Sequence, residues 1–238
     1  MRKYIFVIIL CLSLIVAAQV FAAEKPRIGV LRFTNHTGAS WWGYTSGTEL
    51  QDMLIAELAS TKAFRVLERQ ELDKVLSEQK LSESGLVDES TRIKPGRIKA
   101  AKYLIAGTVS SFQENTSGDE GGVSIMGFRV GGATKTAYMA VDLKVIDTET
   151  GEIVDNRTVE ATSSGGGLRL SGSLGGIGGN LGKQEKTPVG KAIRSCVIEI
   201  SDYLECSLAK KDDDCMKKYA EKEKKRKDKT RKAIKLDE

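Results

Sequence analysis

The chain has 238 residues, 29% of them charged and 40% hydrophobic, with a formal net charge of +5. That length suits one domain or two small ones. The charge belongs to the ends: positions 210–238 hold 13 Lys/Arg against 8 Asp/Glu, Arg2 and Lys3 add +2, and the body between carries −2. No basic face for nucleic acid is expected on such a body.

Arg2 and Lys3 precede an apolar run from Tyr4 to Ala18, and Val20-Phe21-Ala22 offers a cleavage site before Ala23. Residues 1–22 therefore read as a secretory signal. The alternative is a retained membrane helix, for which the run falls short of the roughly 20 residues needed to span. Leu10 is bulky, which argues against lipid attachment at Cys11. The rest is expected to be exported.

Arg27 to Phe33 predicts a first strand. A loop with Trp41, Trp42 and Tyr44 follows, then an amphipathic helix over 48–60 with Leu50, Leu54 and Leu58 on one face. A short strand at 64–67 leads into a helix over 68–82 carrying Leu72, Val75, Leu76 and Gln79, and a short helix is expected at 97–101. Tyr103 to Glu114 reads as a strand.

A hairpin comes next. Ala137, Met139, Val141, Leu143 and Val145 alternate with Tyr138, Asp142 and Lys144, and the turn is Asp147-Thr148-Glu149-Thr150-Gly151. Two glycine-rich windows flank it. Residues 118–132 hold six glycines and residues 165–182 hold nine, of 24 in the chain. Their symmetry about one hairpin suggests the same extension made twice.

A helix is expected over 189–208, followed by a charged tail, 209–238, either a solvated helix or disordered. The order β-α-β-α-α-β-β-β-α predicts an α+β domain, a small mixed sheet with helices on one side.

Cys196 and Cys206 lie ten apart on one predicted helix and are not expected to meet. Cys206 and Cys215 flank a polar turn, and a disulfide between them would close a helical hairpin; free thiols are the other reading.

Chemistry-bearing patterns are sparse. His36 is the single histidine, in a predicted loop, and neither CxxC nor HxxxH occurs. The run Gly179-Asn180-Leu181-Gly182-Lys183-Gln184 resembles a phosphate loop, but Ile177 stands where the first glycine belongs and Gln184 where Ser or Thr belongs. No catalytic residue, metal or cofactor is assigned, and an enzyme is not expected.

Four blocks carry a resemblance: Arg27-Ile28-Gly29-Val30-Leu31-Arg32-Phe33; Leu67-Glu68-Arg69-Gln70 with Leu72 and Leu76; Tyr103-Leu104-Ile105-Ala106-Gly107-Thr108; and Val145-Ile146-Asp147-Thr148-Glu149-Thr150-Gly151-Glu152-Ile153. Together they resemble the curli secretion channel family (CsgG-like proteins). The resemblance implies a periplasmic α+β domain over 23–208 that assembles into a ring. Each subunit would contribute two β-hairpin extensions, at about 112–136 and 160–186, to a shared outer-membrane barrel. Four strands per subunit and a 36-stranded largest barrel imply about nine subunits. The implied function is a non-enzymatic channel in the outer membrane that passes exported polypeptide, with accessory periplasmic proteins as further partners.

The resemblance also implies a pore-narrowing loop at Thr37, Trp41 and Trp42; the alternative is that both tryptophans pack on the core. In the windows, Met126, Phe128, Val130, Leu168, Leu170 and Leu174 alternate and are the lipid-facing candidates. Arg129 and Arg169 fall between them and would face the lumen. A rival reading is a soluble periplasmic interaction module, of the kind that activates cell-wall synthesis or the TolB-like kind, in which the glycine windows are loops.

Overall fold

The computed structural model describes residues 24–117, 123–125, 128–130, 134–164 and 187–234. The expected signal at 1–22, Met126, Leu168, Arg169, Leu170 and Leu174 lie outside them.

Strand β1 (Arg27–Val30) starts the sheet, followed by β2 (Thr34–Asn35), helix α1 (Ser46–Thr61), β3 (Arg65–Val66) and helix α2 (Leu72–Glu83). Then come the long strands β4 (Tyr103–Ser117), β7 (Thr134–Asp147) and β8 (Ile153–Ser164), with the short β5 (Val123–Ile125) and β6 (Phe128–Val130) between β4 and β7. Helix α3 (Pro188–Leu204), a π-helical turn at Glu205–Lys210 and helix α4 (Asp213–Ile234) complete the described chain. The main sheet runs β3-β1-β4-β7-β8, with β2 also on β4. Its β1–β3 and β1–β4 pairs are parallel, and β4–β7–β8 are antiparallel. The domain is α+β with an open mixed sheet. β5 and β6 form a separate two-stranded ladder, Val123 opposite Val130.

The core lies on one face of the sheet. The alternating set Ala137, Met139, Val141, Leu143 and Val145 is buried in full, as period-two alternation requires of a half-buried strand. Over it lie Leu50, Leu54 and Leu58 of α1 and Ile193, Cys196, Val197, Ile200 and Leu204 of α3. Gln51, also buried, donates from Nε2 to the Val30 carbonyl at 2.6 Å, so its amide is satisfied where β1 ends. Thr187 caps α3, its hydroxyl accepting from Gly190 N at 3.1 Å, and Pro188 follows at the first helical position, where a missing N–H costs nothing.

A bulge interrupts the β4–β7 ladder between Val109 and Ser111. Before it, Ile105, Gly107 and Val109 pair with Val145, Leu143 and Val141; after it, Phe112 and Glu114 pair with Met139 and Ala137. The extra residue moves the core-facing set from odd to even positions, which is what a bulge does to one strand of a pair.

Two expected elements differ. The helix expected at 97–101 is irregular backbone, and a short 3₁₀ turn forms instead at Glu89–Thr91. The carbonyls of 97–101 are taken by distant side chains: Arg69 Nη2 donates to Lys99 O at 3.0 Å and Arg27 Nε to Ala100 O at 3.1 Å. Helix α2 forms, but it does not join the helices on the sheet. Val75 and Leu76 remain 40% and 39% exposed.

The Leu-Glu-Arg-Gln block has a structural role at the start of α2. The Glu68 carboxylate accepts from the backbone N–H groups of Gln70 and Glu71, and the Glu71 bond is the first cause holding its carboxyl below the ordinary range. Gln70 Nε2 reaches Asp52 Oδ1 on α1 at 2.7 Å. The β7–β8 turn is closed similarly. Asp147 accepts from Glu149 N at 2.8 Å and meets Lys102 Nζ at 3.0 Å, and Gly151 takes φ +75°, a left-handed conformation that favours glycine.

Two outcomes follow from this packing. A Cβ on Gly107 would lie 2.3 Å from the ring of Phe33, itself 2% exposed. Gly107→Ala should therefore lower stability by about 1–3 kcal/mol in urea unfolding, and by less on a Phe33→Leu background, where the ring is gone. The Asp147 carboxyl is held low, first by the Glu149 N–H and then by Lys102. Its contribution is complete above the unfolded carboxylate value of about 3.9 and is lost as pH falls toward its depressed folded value. Asp147→Asn should flatten the fall of the urea midpoint below about pH 4 and lower the midpoint at neutral pH.

Candidate functional site

Two regions bear on the function the sequence implies: the loop between β2 and α1, and the end of the sheet where β4, β7 and β8 run past the core.

The loop is built on Asn35. Its Oδ1 accepts from Thr37 N at 2.9 Å and Thr37 Oγ1 at 2.7 Å, and its Nδ2 donates to Thr37 O at 3.0 Å. Thr37 Oγ1 in turn accepts from Ala39 N at 3.2 Å. Every polar atom of Thr37 named here is spent on the loop itself. The far side is fixed by Ser46, whose Oγ accepts from Gly43 N at 2.9 Å. Gly47 next to it admits no side chain, because a Cβ there would lie 2.4 Å from Phe33 O.

The two tryptophans divide. Trp41 is buried, 8% exposed, edge-on to Trp42 at 5.4 Å and to Phe112 at 5.7 Å between ring centroids. It belongs to the core, and the bulge in β4 is what brings Phe112 under it. Of the pore-narrowing candidates, Trp41 thus packs as the alternative expects, its ring covered by Phe112 and Trp42. Trp42 is half-buried on the edge of the same cluster. The exposed aromatic of the loop is Tyr44, at 89%, with the Arg32 guanidinium 5.3 Å from its ring centroid. Arg32 Nη2 also donates to the Tyr44 carbonyl. The sequence places Tyr44 in this loop without assigning it a role; its position between Gly43 and Thr45, outside any apolar pattern, is the available signal.

At the sheet end, Gln113 and Glu114 are exposed, yet β4–β7 pairing continues to Ser117 opposite Thr134, and β7–β8 pairing to Thr136 opposite Ser164. Both glycine-rich windows leave from here. Phe128, Arg129 and Val130 lie in β6, facing Ile125, Ser124 and Val123 across the small ladder.

The opposite flank is held by a stack. Arg157 lies 5.0 Å from the Tyr203 ring centroid and 4.8 Å from that of Tyr219, and its Nη1 donates to the Tyr219 carbonyl at 2.9 Å. Tyr203 OH donates to Asp155 at 2.7 Å. Burial, then that bond, raises the Tyr203 phenol above its ordinary value, and burial pushes Tyr219 up to about 12. Cys206 and Cys215 are joined by a disulfide, closing the turn between α3 and α4. Cys196 is a buried thiol, pushed up to about 12 by burial. Among the described residues no group of three His, Cys, Asp or Glu side chains is arranged to hold a metal ion, and no helix is long and apolar enough to cross a membrane.

The family model for "Curli production assembly/transport component CsgG" matches residues 11–234. The chain belongs to this family. It is 31% identical over 116 residues to the curli production assembly/transport components of Salmonella typhimurium and of Escherichia coli, a match covering 46% of this chain and 41% of each relative. The matched stretch thus spans about two-fifths of the length of those relatives. Among solved structures, a hypothetical protein from Chlamydia trachomatis is 14% identical, with TM-score 0.44 over 76% of this chain and 96% of that one. The PelC dodecamer from Paraburkholderia phytofirmans is 14% identical, with TM-score 0.37 over 75% and 87%.

The two loop aromatics should respond oppositely to truncation. Trp41→Ala should cost about 3–5 kcal/mol in urea unfolding, the range for large core aromatics. Tyr44→Ala should change stability by less than about 0.5 kcal/mol, as an exposed side chain does. Equal losses at both would show that the loop packs differently.

Proposed function

We propose that the chain is a non-enzymatic subunit of an outer-membrane channel of the curli-transport type. Copies of the body form a ring of about nine on the periplasmic side, and the segments leaving β4, β7 and β8 build a shared barrel. Exported polypeptide passes down the axis by diffusion, with accessory periplasmic proteins delivering it.

One observation carries this reading. The ladder of β4 with β7 outlasts the hydrophobic core: the last core pair is Ala137 with Glu114, and pairing continues to Ser117 and Thr134. A strand that keeps its partner after losing its core needs another environment for its faces. The alternation of Met126, Phe128 and Val130 and of Leu168, Leu170 and Leu174 around Arg129 and Arg169 fits one face toward lipid and one toward water. Trp42 and Tyr44, rather than Trp41, are the aromatics of the loop available to narrow such a pore.

The test is insertion. Phe128→Arg should sharply reduce the protein recovered from outer membrane after urea washing, because a cation on the lipid face costs about 2–4 kcal/mol at mid-depth. Detergent-extracted wild-type protein should show rings with a central hole in negative stain. Normal insertion of the variant together with monomeric particles would overturn the channel and favour the soluble interaction module.

A further inference from the structure

Helix α4 is the one large element that the channel reading leaves without a role. Its first part is fixed to the body. Tyr219 is buried against Tyr203 and Arg157, and Lys222 Nζ meets Glu199 Oε1 of α3 at 2.7 Å. From there the helix has a definite direction. Tyr219 lies at Arg157, whereas Arg226 lies by Glu160 and feels the charges of Glu160 and Asp142. Moving along α4 from Tyr219 to Arg226 thus moves along β8 from Arg157 to Glu160, toward Ser164. Helix α3 gives the same direction. It begins beside the far end of β8, where Ser163 Oγ donates to the Pro188 carbonyl, and Glu199, the partner of Lys222, is well down its length.

The lengths agree. From Lys222 to Lys232 a helix rises about 15 Å, and from Glu199 back to Pro188 about 16 Å. The last described turns of α4 therefore reach the level at which β8 ends and α3 begins, the end of the sheet from which both glycine-rich windows leave.

What those turns carry is charge. Lys218, Lys225, Lys229 and Lys232 recur at spacings of seven, four and three, which place them on one stripe of a helix with 3.6 residues per turn. All four are exposed. The face toward the body holds Met216, Tyr219, Glu223 and Arg226 instead, with Arg226 bonded to Glu223 at 2.7 Å. Glu223 is thus spent on Arg226 and Lys227, while the stripe lysines form no ion pair within 4 Å among the described residues, with Glu221 and Asp228 beside them on the helix.

We infer that the lysine stripe of α4 is a membrane-surface contact: it binds the phosphate headgroups of anionic lipids in the leaflet facing the body. The inference rests on the channel reading for the plane of that membrane. Charge complementarity selects the occupant. A cationic stripe held level with the strands entering a bilayer meets lipid phosphate before any other anion, and each basic residue near such a surface strengthens binding about fivefold.

The experiment uses the full chain in detergent-free dilution onto vesicles of phosphatidylcholine alone or with phosphatidylglycerol, comparing wild type with a Lys225→Gln, Lys229→Gln, Lys232→Gln variant and with the corresponding Lys→Arg variant. Flotation reads binding, and resistance to urea extraction reads insertion. Wild type and the Arg variant should prefer the phosphatidylglycerol vesicles, and the Gln variant should lose up to about a hundredfold in affinity for them. The preference should fade in 1 M salt, where the screening length falls to about 3 Å. Unchanged far-ultraviolet dichroism of the Gln variant keeps the comparison free of folding effects. Equal binding by wild type and the Gln variant would overturn the inference, whatever the insertion assay gives. So would equal affinity for both kinds of vesicle with tight retention on soluble polyphosphate. Lysine-dependent binding without any urea-resistant fraction would leave the lipid contact standing and defeat the channel.

Discussion

The antiparallel pairing of β4 with β7 is the constraint from which the rest of the structure follows. It starts at Tyr103 opposite Asp147, where Lys102 and Asp147 close the turn end, and ends at Ser117 opposite Thr134. On its near half it floors the core under α1 and α3. On its far half it carries Met139 and Ala137 to the end of the core and then runs on to Ser117 opposite Thr134. The bulge at Val109 and Ser111 joins the two halves. By shifting the core-facing set by one residue it places Phe112 beneath Trp41, and so ties the loop after β2 to the strand that leaves the body. A slip of one residue elsewhere in this pairing would turn every buried side chain of β4 outward, which is why the register is set by large residues such as Ile105 and Val109 on the near half.

The two sheet edges are treated differently, and the difference gives the body its polarity. At β3 the ladder is only two residues long, too short to invite another strand. At β8 the strand is twelve residues long, and an exposed edge of that length needs cover. The Tyr203–Arg157–Tyr219 stack and helix α4 lie beside it. Arg157 is the hinge of this arrangement. It faces the core side of the sheet opposite Leu143, where an unpaired guanidinium would be costly, and two tyrosine faces and the Tyr219 carbonyl satisfy it. The disulfide between Cys206 and Cys215 holds the turn that presents Tyr219 to it.

Much of this was legible in the sequence, because the informative signals were local. The alternation from Ala137 to Val145 marked β7 and its buried face. The Thr-Gly-Glu block marked a turn whose glycine takes positive φ, and the leucine spacing of 48–60 marked α1. What could not be read depended on contacts between distant residues. Nothing in the chain near Ser110 announces a bulge, and unbroken alternation from Ile105 and Val109 would place Phe112 on the even-numbered face, away from the core. Trp41 and Trp42 are adjacent and chemically identical, and only the position of Phe112 decides which one is buried. Val75 and Leu76 have the spacing of a core helix, yet the core is covered by α1 and α3 and α2 is left with them exposed. Tyr219 lies inside the segment expected as a charged tail, and periodicity alone does not show that Arg157 of β8 stacks on it.

Two of the four blocks that carry the resemblance, Leu67-Glu68-Arg69-Gln70 and the turn at Asp147–Gly151, brace the fold. Glu68 and Gln70 start α2 and brace it to Asp52 of α1, while Arg69 fixes the Lys99 carbonyl in the segment that returns to β4. Asp147 and Thr148 bind that same return at Lys102 and Ala101. Both blocks therefore converge on the residues immediately before Tyr103, the first residue of the long ladder. If the body holds β4, β7 and β8 in register as they leave the core, as proposed, these bonds brace the root of that ladder. The loop of Trp42 and Tyr44 is tied down by its own hydrogen bonds, although Trp41 Nε1 is buried without a hydrogen-bond partner. In the proposed channel, an aperture formed by copies of this loop would draw its rigidity from the Asn35–Thr37 bonds and the burial of Trp41, and its exposed aromatic would be Tyr44, whose carbonyl is held by Arg32.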